Sequence, residues 1–218
     1  MKAKNRTKRT HRLTRLAALS VVVVFFAFAT GRRSVTEAQD DIENLGPGTG
    51  IDYTFTNPTA VNIPVSGAAS PYPSIINVSN MPTQLAKVTV RLNSLSHTFP
   101  SDIDMMLVGP QGQTAVIMSD VGGGTVLNQV TLTLDDNAAL PLPTTAITAG
   151  TYKPTNAGGT VLDPFPAPAP APTLNAALSV FQGTNPNGEW KLFIVDDVAI
   201  DSGTVSYTHL TLPTILRV

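Results

Sequence analysis

SHTFPSDIDMMLVGPQG, from Ser96 to Gly112, and FQGTNPNGEWKLFIVDD, from Phe181 to Asp197, decide the fold, because each couples a β-strand to a polar, acidic turn. In the first, Ile103, Met105 and Leu107 fall on one face of a strand, and Gly109-Pro110-Gln111-Gly112 then turns the chain back into 113–119, a hairpin signal. In the second, Asn185-Pro186-Asn187-Gly188 suits a tight turn, with Pro pre-set at the second position and Gly at the fourth. Trp190 then enters the core. The run Trp190–Val195 is apolar on both faces, the mark of a central strand.

Outward from these stretches the same grammar continues. Leu85–Leu95 alternates Val88, Val90 and Leu92 with Lys87, Thr89 and Arg91, giving one buried and one wet face, and Asn128–Leu134 places Val130, Leu132 and Leu134 inward. From Ile51 onward apolar spacing of the helical kind is not sustained over three turns, and eighteen prolines spread through the chain argue the same way. Short strands at regular spacing predict an all-β, jelly-roll-like β-sandwich over residues 51–204. Within it, Asp136–Thr173 contains a Pro-Ala alternation at Phe165–Pro172. Proline fixes φ and removes donors, so the segment is expected to run as a polyproline-like surface strap and not as a ladder strand.

The opening residues address the compartment. Seven basic residues from Lys2 to Arg15 precede an apolar run from Leu16 to Ala29, and Ala27-Phe28-Ala29 supplies small residues for a signal peptidase. Met1–Ala29 therefore reads as a cleaved signal peptide, and residues 30–50, polar, acidic and Gly-rich, as a linker. The expected location is secreted or extracytoplasmic, with no stable membrane span after cleavage. Removal of the leader leaves seven basic residues against fifteen acidic ones. Such a surface offers no basic stripe to nucleic acid or anionic lipid and favours cations or basic partners. Cysteine is absent, so the exported domain must hold together without disulfides.

His97-Thr98-Phe99, Ser101-Asp102-Ile103 and Gly109-Pro110-Gln111-Gly112, followed later by Gly183-Thr184-Asn185-Pro186-Asn187-Gly188-Glu189-Trp190-Lys191-Leu192 and Asp196, together resemble the P domain, or Homo B domain, of proprotein convertases. The resemblance spans roughly Ala60–Thr204. Thr184 departs from the family's Glu. The resemblance implies a galactose-binding-domain-like sandwich that accompanies subtilisin-like serine proteases in secreted proteins. It implies a noncatalytic module that stabilises or contacts a partner domain or an extracellular surface. The alternatives are a fragment of a secreted subtilisin-like serine endopeptidase lacking its catalytic domain, and a cell-surface adhesion or carbohydrate-binding module resting on fold analogy alone.

Asp102 and Asp104, two apart on a strand, share a face, and Asp196, Asp197 and Asp201 cluster in a Gly-flanked hairpin loop. Calcium takes 6–8 oxygen ligands, so these five carboxylates are the candidate calcium ligands; the other reading is that they cap turns and keep the surface soluble. No other cofactor is expected. His97 is expected to make a turn-stabilising hydrogen bond. A Ser-His-Asp protease would need His97 as its base and a serine in a recognisable motif, which the sequence does not offer. His97 is the one histidine between the leader and the doubtful C-terminus, and without cysteine it makes no ordinary zinc site; Gly122-Gly123-Gly124 lacks the Lys-Ser/Thr of a phosphate loop. The chain itself is expected to have no catalytic residues.

Residues 205–218 form a doubtful C-terminus. VSYTHLTLPT, Val205–Thr214, looks like the translation of a transposon-type sequencing adapter standing where the family's last strand would be. The rival reading is a genuine final strand, since Tyr207, His209 and Thr211 alternate with Thr208, Leu210 and Leu212.

Overall fold

The computed structural model describes residues 51–213, which form an all-β sandwich of two sheets. The leader 1–29, the linker 30–50 and residues 214–218 lie outside the described residues. In chain order the strands are β1 (Asp52–Asn57), β2 (Val61–Ile63), β3 (Gly67–Ala68), β4 (Ser74–Val78), β5 (Thr89–His97), β6 (Ile103–Val108) and β7 (Thr114–Ser119). They continue as β8 (Leu127–Leu134), β9 (Gly150–Tyr152), β10 (Thr155–Asn156), β11 (Gly188–Asp196), β12 (Gly203–Val205) and β13 (Tyr207–Pro213).

The alternating strand β5 organises the first sheet. One of its edges pairs with β8, which continues to β9; its other edge pairs with β12 and β13 in succession. Outside these lie β2, against β12, and β1, against β13. In the second sheet β11 is an interior strand with partners on both edges, as its two apolar faces predict. It pairs with β6 on one edge and with β3 and β4 on the other, and β7 and β10 extend the sheet beyond β6. The turn at Gly109–Gly112 closes the β6–β7 hairpin through Gly109 N–H donating to Gln113 O at 2.9 Å and Gly112 N–H to Gly109 O at 3.0 Å.

Side chains that alternate inward fill the space between the sheets. Val90, Leu92, Leu132, Leu210 and Leu212 from the first sheet meet Ile76, Met105, Leu107, Trp190, Leu192 and Ile194 from the second. Burying one such aliphatic side chain contributes roughly 1.5–3 kcal/mol, so this layer supplies the main driving force. Residues 205–213, set apart in the sequence, lie here as β12 and β13, with Thr208, Leu210 and Leu212 buried.

The second sheet is also covered on its outer face. Met106, Val108, Val116 and Phe193 form a separate buried cluster, overlaid by Phe165 and Ala169 of the Pro-Ala run and by Tyr72. Tyr72 meets Phe193 edge-on, with ring centroids 4.9 Å apart. Its hydroxyl donates to Pro166 O at 3.0 Å, and burial pushes its pKa up to about 12. The Pro-Ala run carries no strand, as its missing donors require. The wider segment 136–173 departs from the expectation, because β9 pairs parallel with β8 and β10 parallel with β7. Both pieces are free of proline and so keep the backbone donors that a ladder uses.

Candidate functional site

The two informative stretches meet at one end of the sandwich. The β6–β11 pairing sets Ile103 opposite Asp196 and Asp104 opposite Val195, so the acidic turns before β6 and after β11 become neighbours. His97, the last residue of β5, crosses to this end. Its Nε2 lies 3.0 Å from Asp196 Oδ2, with both side chains fully buried. Its Nδ1 lies 3.0 Å from Phe99 O and 3.2 Å from Phe99 N. Both ring nitrogens are thus occupied by structural partners, and the expected turn-stabilising bond is one of them. Gly203 leaves room for the ring, since a Cβ there would meet Ser96 O and stand 2.6 Å from His97 Cδ2.

The neighbouring carboxylates divide by what they bond. Asp196 Oδ1 accepts Val198 N–H at 3.1 Å, so both of its oxygens are used. Asp102, in the 3₁₀ turn Pro100–Asp102, accepts the Ser101 hydroxyl at 3.3 Å, and its carbonyl accepts Asp197 N–H at 3.0 Å. Asp201 accepts the Thr98 hydroxyl at 2.6 Å. Burial raises the pKa of Asp102 and of Asp196. For Asp102 the Ser101 hydrogen bond opposes this and the charges of Asp196 and Asp201 add to it; for Asp196 the Val198 N–H and His97 oppose it.

Asp104 and Asp197 extend this acidic end toward Asp120 and Asp163. Asp104 lies on the outer face of β6, in line with Met106 and Val108, and is 2% exposed. Its Oδ2 is buried without a hydrogen-bond partner. Burial pushes its pKa up to about 8, and Asp163, Asp197 and Asp120 add to the rise while the Ser119 hydroxyl opposes it. Asp197 is exposed; its pKa is raised by burial first and then by Asp102, Asp120, Asp163 and Asp196.

The five aspartates expected to ligate calcium all lie at this end of the sandwich, on the turns before β6 and after β11 and on the strands they lead from. Asp102, Asp196 and Asp201 hold the turns around His97, Asp104 is acted on by Asp163, Asp197 and Asp120, and Asp197 adjoins both sets. Among the described residues, no three His, Asp or Glu side chains stand where they would hold a metal ion as placed. Sequence reasoning missed Asp120 and Asp163. Asp120 directly follows β7, beside the triple glycine, and Asp163 precedes Pro164 in the strap; neither position has a local pattern that points to Asp104.

The chain is thus an all-β sandwich whose two signature turns are joined by a buried His-Asp contact. No protein-family model matches it, and no curated protein is similar in sequence. Among solved structures it is similar to the complex of Aeromonas sobria serine protease and the chaperone ORF2, at 11% identity and a TM-score of 0.39, over 83% of this chain and 29% of that one. It is also similar to the serine protease of Aeromonas sobria, at 13% identity and a TM-score of 0.36, over 82% of this chain and 30% of that one. The chain spans about three tenths of the length of these solved chains. Likeness at this level defines no shared activity.

Proposed function

We propose that the chain is a noncatalytic, P-domain-like module of an exported protein that stabilises or contacts a partner protein domain. The observation that supports this reading best is the His97–Asp196 contact, 3.0 Å long and fully buried, which joins the first residue of one resembling motif to the last residue of the other. Two motifs separated by |i−j| = 99 thus act as one structural unit. His97 has no ring nitrogen left for a nucleophile, which supports a structural role. Val65, Val198 and Ile200 stand exposed at this end, with Ile200 N–H donating to Val65 O at 3.2 Å, an apolar tip suited to contact with another protein surface.

The purified chain is expected to leave casein and peptide substrates intact. Cleavage abolished by a serine-reactive inhibitor would overturn the noncatalytic reading. In the same proposal Met1–Ala29 directs export, and N-terminal sequencing of the secreted product should begin after Ala29. Among the described residues no helix is long and apolar enough to cross a membrane.

A further inference from the structure

We propose that the cleft between the strap and the end of β11 receives an arginine side chain from a partner protein, whose neighbouring apolar residues cover Val65, Val198 and Ile200. This rests on the reading of that end as a contact surface and names what the partner must bring to it. The cleft has a volume of about 320 Å³ and is lined by Gly67 at the start of β3, by Pro164, Phe165 and Pro166 of the strap, and by Asp196 and Asp197 where β11 ends.

The lining suits one kind of side chain. Asp196 is occupied by His97 and the Val198 N–H, whereas the exposed Asp197 carboxylate has no hydrogen bond or ion pair to any described residue. Two exposed prolines and the half-buried Phe165 ring supply an apolar wall in the same cleft. A cation on a long stem lays its methylenes along such a wall and keeps its head at the carboxylate. Arginine fits better than lysine, because its guanidinium is more weakly hydrated and stacks on an aromatic face. A Cβ on Gly67 would meet no atom within 4 Å, so the cleft is open on that side.

The described lysines and arginines all lie elsewhere. Lys191 pairs with Glu189 and sits opposite Val108, at the far end of β6. Lys87 is bonded to Asp135, just past the far end of β8, and Arg91 lies near the start of β5, whose last residue is His97. Lys153 stands between β9 and β10, beyond β7 on the flank. Acidic side chains, by contrast, gather here. Asp120 follows β7, Asp163 is linked to it through the Ser119 hydroxyl, and Asp201 accepts from Thr98. This end is therefore charged to attract a cationic partner.

The apolar tip adjoins the cleft along the chain. Val65 lies two residues before Gly67, and Val198 directly follows Asp197. Ile200 is 88% exposed and holds φ at +110°, a region that β-branched residues rarely take, so the loop presents this side chain at a cost to itself. An apolar knob beside an acidic cleft is matched by arginine set among apolar residues, a composition enriched at protein interfaces.

The test titrates the ¹⁵N-labelled chain with the peptide acetyl-Ala-Leu-Arg-Leu-Ala-amide and with its citrulline counterpart, a neutral isostere, and follows amide chemical shifts. The natural chain, Asp197→Asn and Ile200→Ser are compared; both side chains are exposed, so the variants keep the core. The arginine peptide should shift the amides of Val65, Asp197, Val198 and Ile200 and bind at least about threefold more tightly than the citrulline one. Asp197→Asn should remove that preference, and Ile200→Ser should weaken both peptides. Raising the ionic strength from about 0.05 M to about 0.5 M should shrink the preference too. Equal binding of the two peptides at this end, or a preference that survives Asp197→Asn, overturns the arginine site while leaving the contact surface in place. No shift here at millimolar peptide, or shifts confined to the opposite end around Asp135 and Glu189, overturns the site as well; the noncatalytic reading is decided separately, by the casein assay.

Discussion

The indole of Trp190 lies against the ring of Phe181, centroids 4.9 Å apart and planes inclined by 59°, while its Nε1–H donates to Pro186 O at 2.9 Å. The ring thus locks the Asn185–Gly188 turn to the core through one polar and one apolar contact. Trp190→Ala should cost about 3–5 kcal/mol. Trp190→Phe, which loses the hydrogen bond but keeps an aromatic ring, should cost only about 1–3 kcal/mol. Urea denaturation of the two variants checks the ordering, and equal losses would sink it.

His97 and Asp196 are both fully buried, so removing one strands the other. His97→Ala should destabilise the domain by about 3–5 kcal/mol. The double variant His97→Ala, Asp196→Ala should lose less than the two single losses added together, since it leaves no buried group unpaired. A double-mutant cycle with additive losses would contradict the coupling.

Asp104 gives stability a pH slope. Its carboxyl has an ordinary value of 3.8 and is pushed up to about 8 in the fold, so between these values the folded state holds a proton that the unfolded chain releases. The resulting stability is complete below the lower value and is lost as pH rises through the upper one. In chelator, the melting temperature of the natural chain should fall between about pH 4 and about pH 8. Asp104→Asn, which has no proton to lose, should flatten much of that slope, and an unchanged slope would exclude Asp104 as its source.

VSYTHLTLPT remains a proposed adapter translation, and its test is direct. Re-amplifying and sequencing the source locus across the codons for Asp201–Val218 should return a Trp-containing strand in its place. Recovery of the same text would show the stretch to be natural. The slot it fills is real in either case, because β13 lies between β1 and β5 and buries Leu210 and Leu212.

The layers were legible wherever period decided burial. Val90 and Leu92 announce a half-buried β5, which begins at Thr89 and not at Leu85 as the alternation suggested, and the two-faced run at Trp190–Val195 announces a strand with partners on both edges. β9 and β10 were not legible, because runs of three and two residues are too short to show a period. Nor was the outer cluster complete in the sequence. Met106 and Val108 could be seen to point away from Met105, but Phe165 and Ala169 reach them only through the path of the strap. The acidic end of the sandwich was only partly legible for the same reason. Asp102 and Asp104 are near in sequence yet serve different groups, since the 3₁₀ turn ends between them and redirects the chain. Asp163 joins Asp104 only once the strap has crossed the sheet.

The place of β13 has a consequence in time. Thr54 of β1 and Thr211 of β13 are cross-strand partners with |i−j| = 157, and β5 also waits for the same strand. A chain delivered end-first must carry both edges open until its last described strand emerges, and pairing over such separations is slow. Unpaired edges are templates for wrong partners. The period of greatest exposure to aggregation is therefore the interval before residues 207–213 arrive, when β1 has no partner in the first sheet and part of the β5 edge stands open.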